Sequence, residues 1–304
     1  MYTQPLSGII SQHPVSHISF ADDTQLRRSD TPEKIGEVIC NIQSCVSDVR
    51  IWMTENKLKL NEDKTEAMII SSKYMPKSIL ASLPSSMLVE SATISFSKTA
   101  RNLGVLFDTS LCMEKHVSQV CRTAYYELRR IASIRHLLTV ETTKKLVCAF
   151  VLSRLDYCNS ILIGCPKSLI DRLQKVQNNA ARLVLKARKR DHVTPLLFSL
   201  HWLPVSYRIQ YKILSLCYSS LFGDAHIYLT QLLHLYVPGR LLRSSADTRI
   251  LDPPVMKAKT LGERSFSFQA PLLWNNLPRE IRYCTSLSSF KTSLKTHLFR
   301  QAFS

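Results

Sequence analysis

The tripeptide Ala21-Asp22-Asp23 stands between two short β-prone runs, His17 to Phe20 and Thr24 to Leu26. Ile18, Phe20, Thr24 and Leu26 alternate as strand residues do, and the small and acidic residues between them suit a tight connection. The stretch therefore reads as a hairpin with acid at its tip. At about 4 Å and an effective dielectric of about 20, two like charges repel by roughly 4 kcal/mol, so an adjacent carboxylate pair takes up a proton or binds a cation. Hard oxygen ligands of this kind suit Mg²⁺, which takes one or two carboxylates and fills its shell with water and phosphate oxygens. Asp-Asp also occurs in ordinary solvated turns, so these letters alone leave both readings open.

The elements that must position this pair can be read from spacing. Thr31-Pro32-Glu33 opens a helix with a capping hydroxyl, proline in the first turn and acid near the positive end. Ile35, Val38, Ile39, Ile42, Cys45, Val46, Val49, Trp52 and Met53 then form a 3.6-residue stripe that must lie on a sheet or another helix. Asn56 ends the helix, Asn61-Glu62-Asp63 makes a turn, and Thr65 to Ile70 is a β-prone run, giving an α+β layer of hairpin, helix and returning strands. Residues 71–91, rich in serine with Pro76 and Pro84, read as a loop and hairpin connection. Ala100 to Asp108 is a short strand, a glycine and another apolar run, and Gly104 allows a turn or a close backbone approach.

From Leu111 the pattern becomes helical. Val117, Val120, Cys121, Ala124, Leu128 and Ile131 line one face, with Lys115, Arg122, Arg129 and Arg130 largely off it. A second helix is expected from Thr139 to about Ile163, and a third carries Leu169, Leu173, Val176, Ala180, Leu183 and Val184 on its apolar side. Together they predict a three-helix antiparallel arrangement with short turns. The third helix is expected to end in Lys186-Ala187-Arg188-Lys189-Arg190. Cations there fit the helix dipole, phosphate contact or nuclear import. Beyond it, Trp202-Leu203-Pro204 precedes a helix stopped at Gly223, and a last helix carries Phe290, Leu294 and Leu298. Trp274 and the phenylalanines around it read as core rather than as base-stacking platforms.

Length and charge bound the function. The 304 residues have room for about two domains, and 45% hydrophobic content is ample for a core. Residues 1–110 hold 11 Lys/Arg against 12 Asp/Glu, a net of −1, whereas residues 111–304 hold 29 against 11, a net of +18. The whole positive excess lies in the second part, where it predicts an anionic partner, nucleic acid above all. Nine scattered cysteines with no Cys-x-x-Cys fit a reduced, intracellular chain. The longest apolar run, Leu146 to Leu152, is far too short to cross a bilayer, and no secretory pattern opens the chain, so it is expected to be neither secreted nor membrane-bound.

Phe20-Ala21-Asp22-Asp23 between short strands resembles the metal-binding hairpin of reverse transcriptases. Trp52-Met53-Thr54-Glu55-Asn56-Lys57-Leu58-Lys59-Leu60-Asn61-Glu62-Asp63-Lys64-Thr65-Glu66 and then Ala100 to Asp108 follow in the order found in the non-LTR (LINE-type) retrotransposon branch. The resemblance covers essentially the whole chain and implies a C-terminal fragment of such an enzyme. It implies a partial palm over 1–110, a helical thumb-like region over 111–195 and a retrotransposon-specific C-terminal region over 196–304. It also implies RNA-directed DNA synthesis with Mg²⁺ and deoxynucleoside triphosphates on an RNA template and DNA primer. Asp22 would ligate metal, with Asp23 assisting. Lys64 would protonate the leaving pyrophosphate, and Leu103-Gly104-Val105 would back the primer end as a primer grip. Arg122, Arg129, Arg130, Lys186, Arg188, Lys189 and Arg190 would follow the duplex backbone. The setting would be nuclear or cytoplasmic.

Polymerisation also needs a carboxylate on an earlier palm strand to complete a two-metal clamp, together with fingers that hold the nucleotide. Neither can be placed in this sequence, so the chain by itself is expected to be inactive. A non-catalytic nucleic-acid-binding module and a decayed retroelement reading frame are the competing readings.

Overall fold

The computed structural model describes residues 4–61, 64–89, 92–223, 225–237, 249–256 and 261–304. The chain divides into two compact units, Met1–Leu111 and Cys112–Ser304, the first mixed and the second helical, so the fold is α+β.

In the first unit β1 (Ser16–Phe20) and β2 (Asp23–Arg27) pair antiparallel with Phe20 opposite Asp23, which leaves Ala21 and Asp22 as a two-residue turn. A helix that the sequence pattern does not announce, α1 (Gln4–Ile10), precedes them. The striped helix forms as α2 (Ile35–Glu55). Its entry differs in detail. Thr31 makes no side-chain cap, and its hydroxyl instead meets the Glu33 carboxylate, which a backbone amide and that hydroxyl hold below the usual carboxylate range. Leu6, Ile10, Val15, Cys45 and Val49 make a small core, with Leu26, Ile42, Trp52 and Met53 packed partly against it. Helix α1 thus supplies part of the surface that the α2 stripe requires.

Among the described residues the strands of this unit form three separate two-stranded sheets, β1 with β2 being the first, rather than one layer. After α3 (Lys77–Ser82), β3 (Ser86–Val89) pairs with β4 (Ala92–Ser95), and β5 (Thr99–Asn102) with β6 (Val105–Asp108). Buried Met87 and Val89 place β3 on α2, where Gln43 Nε2 donates to the Leu88 carbonyl. The run Thr65 to Ile70 does not return as a strand. It makes a single parallel bridge, Ala67 to Phe96, because β-propensity without a partner along its length cannot satisfy the backbone. The Glu62-Asp63 part of the expected turn lies outside the described residues.

In the second unit α4 (Glu114–Ser133) packs along α7 (Lys167–Leu185) through the expected stripes. Val117, Cys121, Ala124, Leu128 and Ile131 are buried on one, and Leu169, Leu173, Val176, Ala180 and Val184 on the other. The helix expected over Thr139 to Ile163 is shorter and interrupted. It consists of α5 (Val140–Val147), a π-helical turn (Cys148–Leu152) and α6 (Ser153–Asp156), and then Cys158 turns left-handed at φ 50° into a 3₁₀ turn (Asn159–Leu162).

The basic run also departs from expectation. Helix α7 stops at Leu185, Lys186 is left-handed at φ 54°, and Ala187 N donates to the Arg182 carbonyl at 3.0 Å, the Schellman closure. The cations at 186–190 therefore follow the helix rather than occupying its last turn.

Further on lie α8 (Val193–Leu200), α9 (Val205–Phe222), α10 (Ile227–Thr230), α11 (Phe266–Asn275), α12 (Arg279–Arg282) and α13 (Leu287–Phe303). Helix α9 packs on α7, α11 and α13, so residues 112–195 and 196–304 share one unit, with Leu111 in the first. Fully buried Gln177 ties α7 to the start of α9 by donating to the Leu203 carbonyl at 2.8 Å. Trp274 and Phe290 are fully buried beside Tyr218, whose ring stacks on Phe290 at 4.4 Å, so these aromatics are core. Among the described residues no helix is long and apolar enough to cross a membrane.

Candidate functional site

The acidic hairpin is held at both roots. At its entry His13 Nε2 lies 2.9 Å from Asp48 Oδ2 of α2. At its exit Arg28 donates to the Pro14 carbonyl at 2.9 Å and to Glu37 Oε1 at 3.1 Å. The His17–Leu26 pair turns one face of the hairpin inward, while Ile18, Phe20 and Asp23 are exposed on the other. Ala21 sits at φ 55°, a left-handed conformation that non-glycine residues adopt at a cost of roughly 1–2 kcal/mol. Asp22 and Asp23 are both exposed.

Among the described residues no group of three or more His, Cys, Asp and Glu gathers as a metal site. The donor set here is two adjacent hard oxygen ligands open to water. That chemistry fits a Mg²⁺ ion which keeps most of its waters or takes phosphate oxygens, and it does not fit an ion enclosed by protein ligands alone.

Two other candidate segments are tied to this hairpin within the same unit. Asn102 Nδ2, at the end of β5, donates to Gln25 Oε1 of β2 at 2.9 Å. Arg101 N donates to Glu66 Oε2 at 3.0 Å, which fastens the segment after Lys64 to the same strand. Leu103 and Gly104 form the two-residue turn between β5 and β6, at φ 44° and 80°, and both are exposed while Val105 is buried. Lys64 is exposed, its backbone is held by Asn61, and its side chain makes no hydrogen bond or ion pair among the described residues. The acidic hairpin and the strand leading to the 103–104 turn are thus connected directly, whereas among the described residues the Lys64 segment meets that strand through Glu66, two residues on.

The basic candidates lie in the second unit. Arg122, Arg129 and Arg130 are exposed on α4, off its buried stripe. Tyr126, which the charge pattern does not single out, stands four residues from two of these arginines and lies under Arg130 at 5.7 Å. An exposed aromatic among arginines at helical spacing is the signal that would have found it.

Lys186, Arg188, Lys189 and Arg190 are exposed in the turn after α7, where Arg188 N donates to Asp191 Oδ2 at 2.6 Å. Arg135 is a further residue that charge counting missed. It is buried and donates to the carbonyls of Leu183 at 2.9 Å, Val184 at 2.8 Å and Leu138 at 2.7 Å. It thereby satisfies the end of α7 from which the basic turn departs. Compared with protein-family models, with curated proteins and with solved structures, the chain matches none.

Proposed function

We propose that these residues are part of a non-LTR retrotransposon reverse transcriptase and act as its nucleic-acid-holding portion, without polymerase activity on their own. One observation carries the reading. The net +18 of residues 111–304 includes exposed arginines and lysines on α4 and after α7, in a chain whose −1 first part carries the acidic hairpin. The order of the three motifs and the hydrogen bond from Asn102 to Gln25 support it further.

In this reading Asp22 ligates Mg²⁺ with help from Asp23, Lys64 serves the leaving pyrophosphate, and the 103–105 turn backs the primer end. The basic surface holds template and primer by their phosphates, which position a duplex without reading its sequence. Half of a two-metal clamp cannot stabilise both the attacking and the leaving oxygen, so no extension of a primed RNA template is expected with Mg²⁺ and deoxynucleoside triphosphates. Template-dependent extension that disappears in Asp22→Ala would overturn the inactivity.

A non-catalytic binding module is the second reading. It needs only the exposed cations of α4 and of the 186–190 turn, and no metal at Asp22 and Asp23. A Mn²⁺ titration followed by water relaxation separates the two. Weak binding lost in Asp22→Ala supports the metal hairpin, and equal binding in the variant favours the module.

A further inference from the structure

The second unit holds a cleft of about 570 Å³ that none of the roles above uses. Asp156, Asn159, Trp202, Arg208, Lys212 and Lys295 line it, together with the π-helical turn through Cys148 and Leu152. Neither the α4 arginines nor the 186–190 turn contributes to its wall. Its size falls in the range of small-molecule sites, and π-helical turns recur where a helix serves a ligand. His201, another lining residue, is held left-handed at φ 57°.

The charges of the cleft are partly cancelled. Arg208 grips Asp156 with both arms of its fork, Nε to Oδ1 at 2.7 Å and Nη2 to Oδ2, which neutralises the carboxylate. Among the described residues Nη1 of Arg208 makes no hydrogen bond, and Lys212 and Lys295 form no ion pair. A cation would meet only a carboxylate already taken, so the surplus favours an anion. Two uncompensated ammonium groups beside a guanidinium match a dianion better than a single carboxylate.

A second, independent feature points to a ligand with a donor of its own. Asn159 is 4% exposed, and its Nδ2 faces Asp156 Oδ1 at 3.4 Å. Its Oδ1, buried in the wall, has no hydrogen-bond partner, and such acceptors are few in folded proteins.

We propose that this cleft binds a phosphomonoester of nucleotide size. Its phosphoryl oxygens would lie on Lys212, Lys295 and Arg208, and Asn159 would turn its enclosed, unpartnered Oδ1 toward a ligand hydroxyl or amine. The phosphate belongs either to a free nucleotide or to the 5′ end of a strand.

Calorimetry on the full chain at low salt tests the proposal with adenosine 5′-monophosphate, inorganic phosphate and adenosine. The monophosphate and inorganic phosphate bind saturably and compete, and adenosine does not bind. Lys212→Gln with Lys295→Gln weakens both anions about tenfold or more without shifting the melting temperature, since both lysines are exposed. Asn159→Leu weakens the monophosphate more than it weakens inorganic phosphate. Competition by a 5′-phosphorylated short strand, but not by its unphosphorylated form, assigns the group to a strand end. Failure of both strands to compete assigns it to a free nucleotide, and either outcome requires the cleft. Replacing the four cations at 186–190 with Gln leaves monophosphate affinity unchanged, so this test stands apart from the nucleic-acid reading above. The proposal is overturned if neither anion binds saturably, if adenosine binds as well as its phosphate, or if binding survives loss of both lysines.

Discussion

Leu103 stands where a hairpin turn asks for asparagine or glycine. With φ at 44° and Gly104 at 80°, both central residues are left-handed, as the twist-matching two-residue turns require. A leucine there costs roughly 1 kcal/mol relative to a residue at home in that conformation. Leu103→Asn is therefore expected to raise the urea stability of the first unit by about 1 kcal/mol. A loss of stability instead would show that the leucine side chain holds the turn in place.

Gly104 made the turn legible in the sequence. Leu103 did not, because nothing in a leucine announces a positive φ, and Ala21 at the acidic tip is unannounced for the same reason. His116 gives a second residue-scale expectation. It is buried on α4, and burial pushes its pKa below the ordinary imidazole value of 6.5. The unfolded chain therefore takes up this proton before the folded one does. Stability that is full above about pH 6.5 is lost as pH falls below that value, down to the folded pKa. His297, lowered by burial and then by Arg300, acts in the same direction. The melting temperature of His116→Gln should fall less steeply than that of the wild type on acidification below pH 6.5, and parallel curves would contradict this.

At the scale of elements, the helices that carry the cations depend on how their ends are closed. Arg135 leaves the turn after α4 and satisfies two carbonyls at the end of α7 and one at Leu138. Arg135→Ala should cost about 3 kcal/mol in urea unfolding of the second unit, because buried carbonyls lose charge-assisted partners. Lys should not rescue it, since a single ammonium cannot reproduce the fork. A loss below about 0.5 kcal/mol, within ordinary surface effects, would show that water replaces the guanidinium.

The α4 and α7 stripes could be read directly because 3.6-residue spacing reports burial, and Val117, Cys121, Ala124, Leu173 and Val176 are buried as spaced. The length of α5 could not. The apolar letters run on from Leu146 to Leu152 across a π turn that has no signature of its own, and Cys158 breaks the path left-handed. Thr65 to Ile70 failed for a different reason, since β-prone letters name no partner strand. Helix α1 escapes the sequence because a short segment shows too little periodicity, although its Leu6 and Ile10 share one core with Cys45 and Val49.

At the scale of the whole molecule, the decisive property is the separation of charge, −1 before residue 111 and +18 from there on. The sequence showed that separation completely. It could not show that Lys186, Arg188, Lys189 and Arg190 lie beyond a Schellman-closed helix rather than within it. That placement bears on the proposed function, because these cations lie past the cap rather than in the last turn and are exposed.

The measurement that tests the account most directly is a duplex-binding titration at several salt concentrations. It is run on wild type and on the variant with Lys186, Arg188, Lys189 and Arg190 all replaced by Gln. Wild-type affinity should fall steeply with salt, by about 0.9 logarithmic units per neutralised phosphate, with little dependence on sequence. The variant should keep its melting temperature, with a slope flatter by up to about three to four units if all four cations reach phosphates. A shallow wild-type slope, or one that the four substitutions leave unchanged, would contradict the claim that this surface holds nucleic acid.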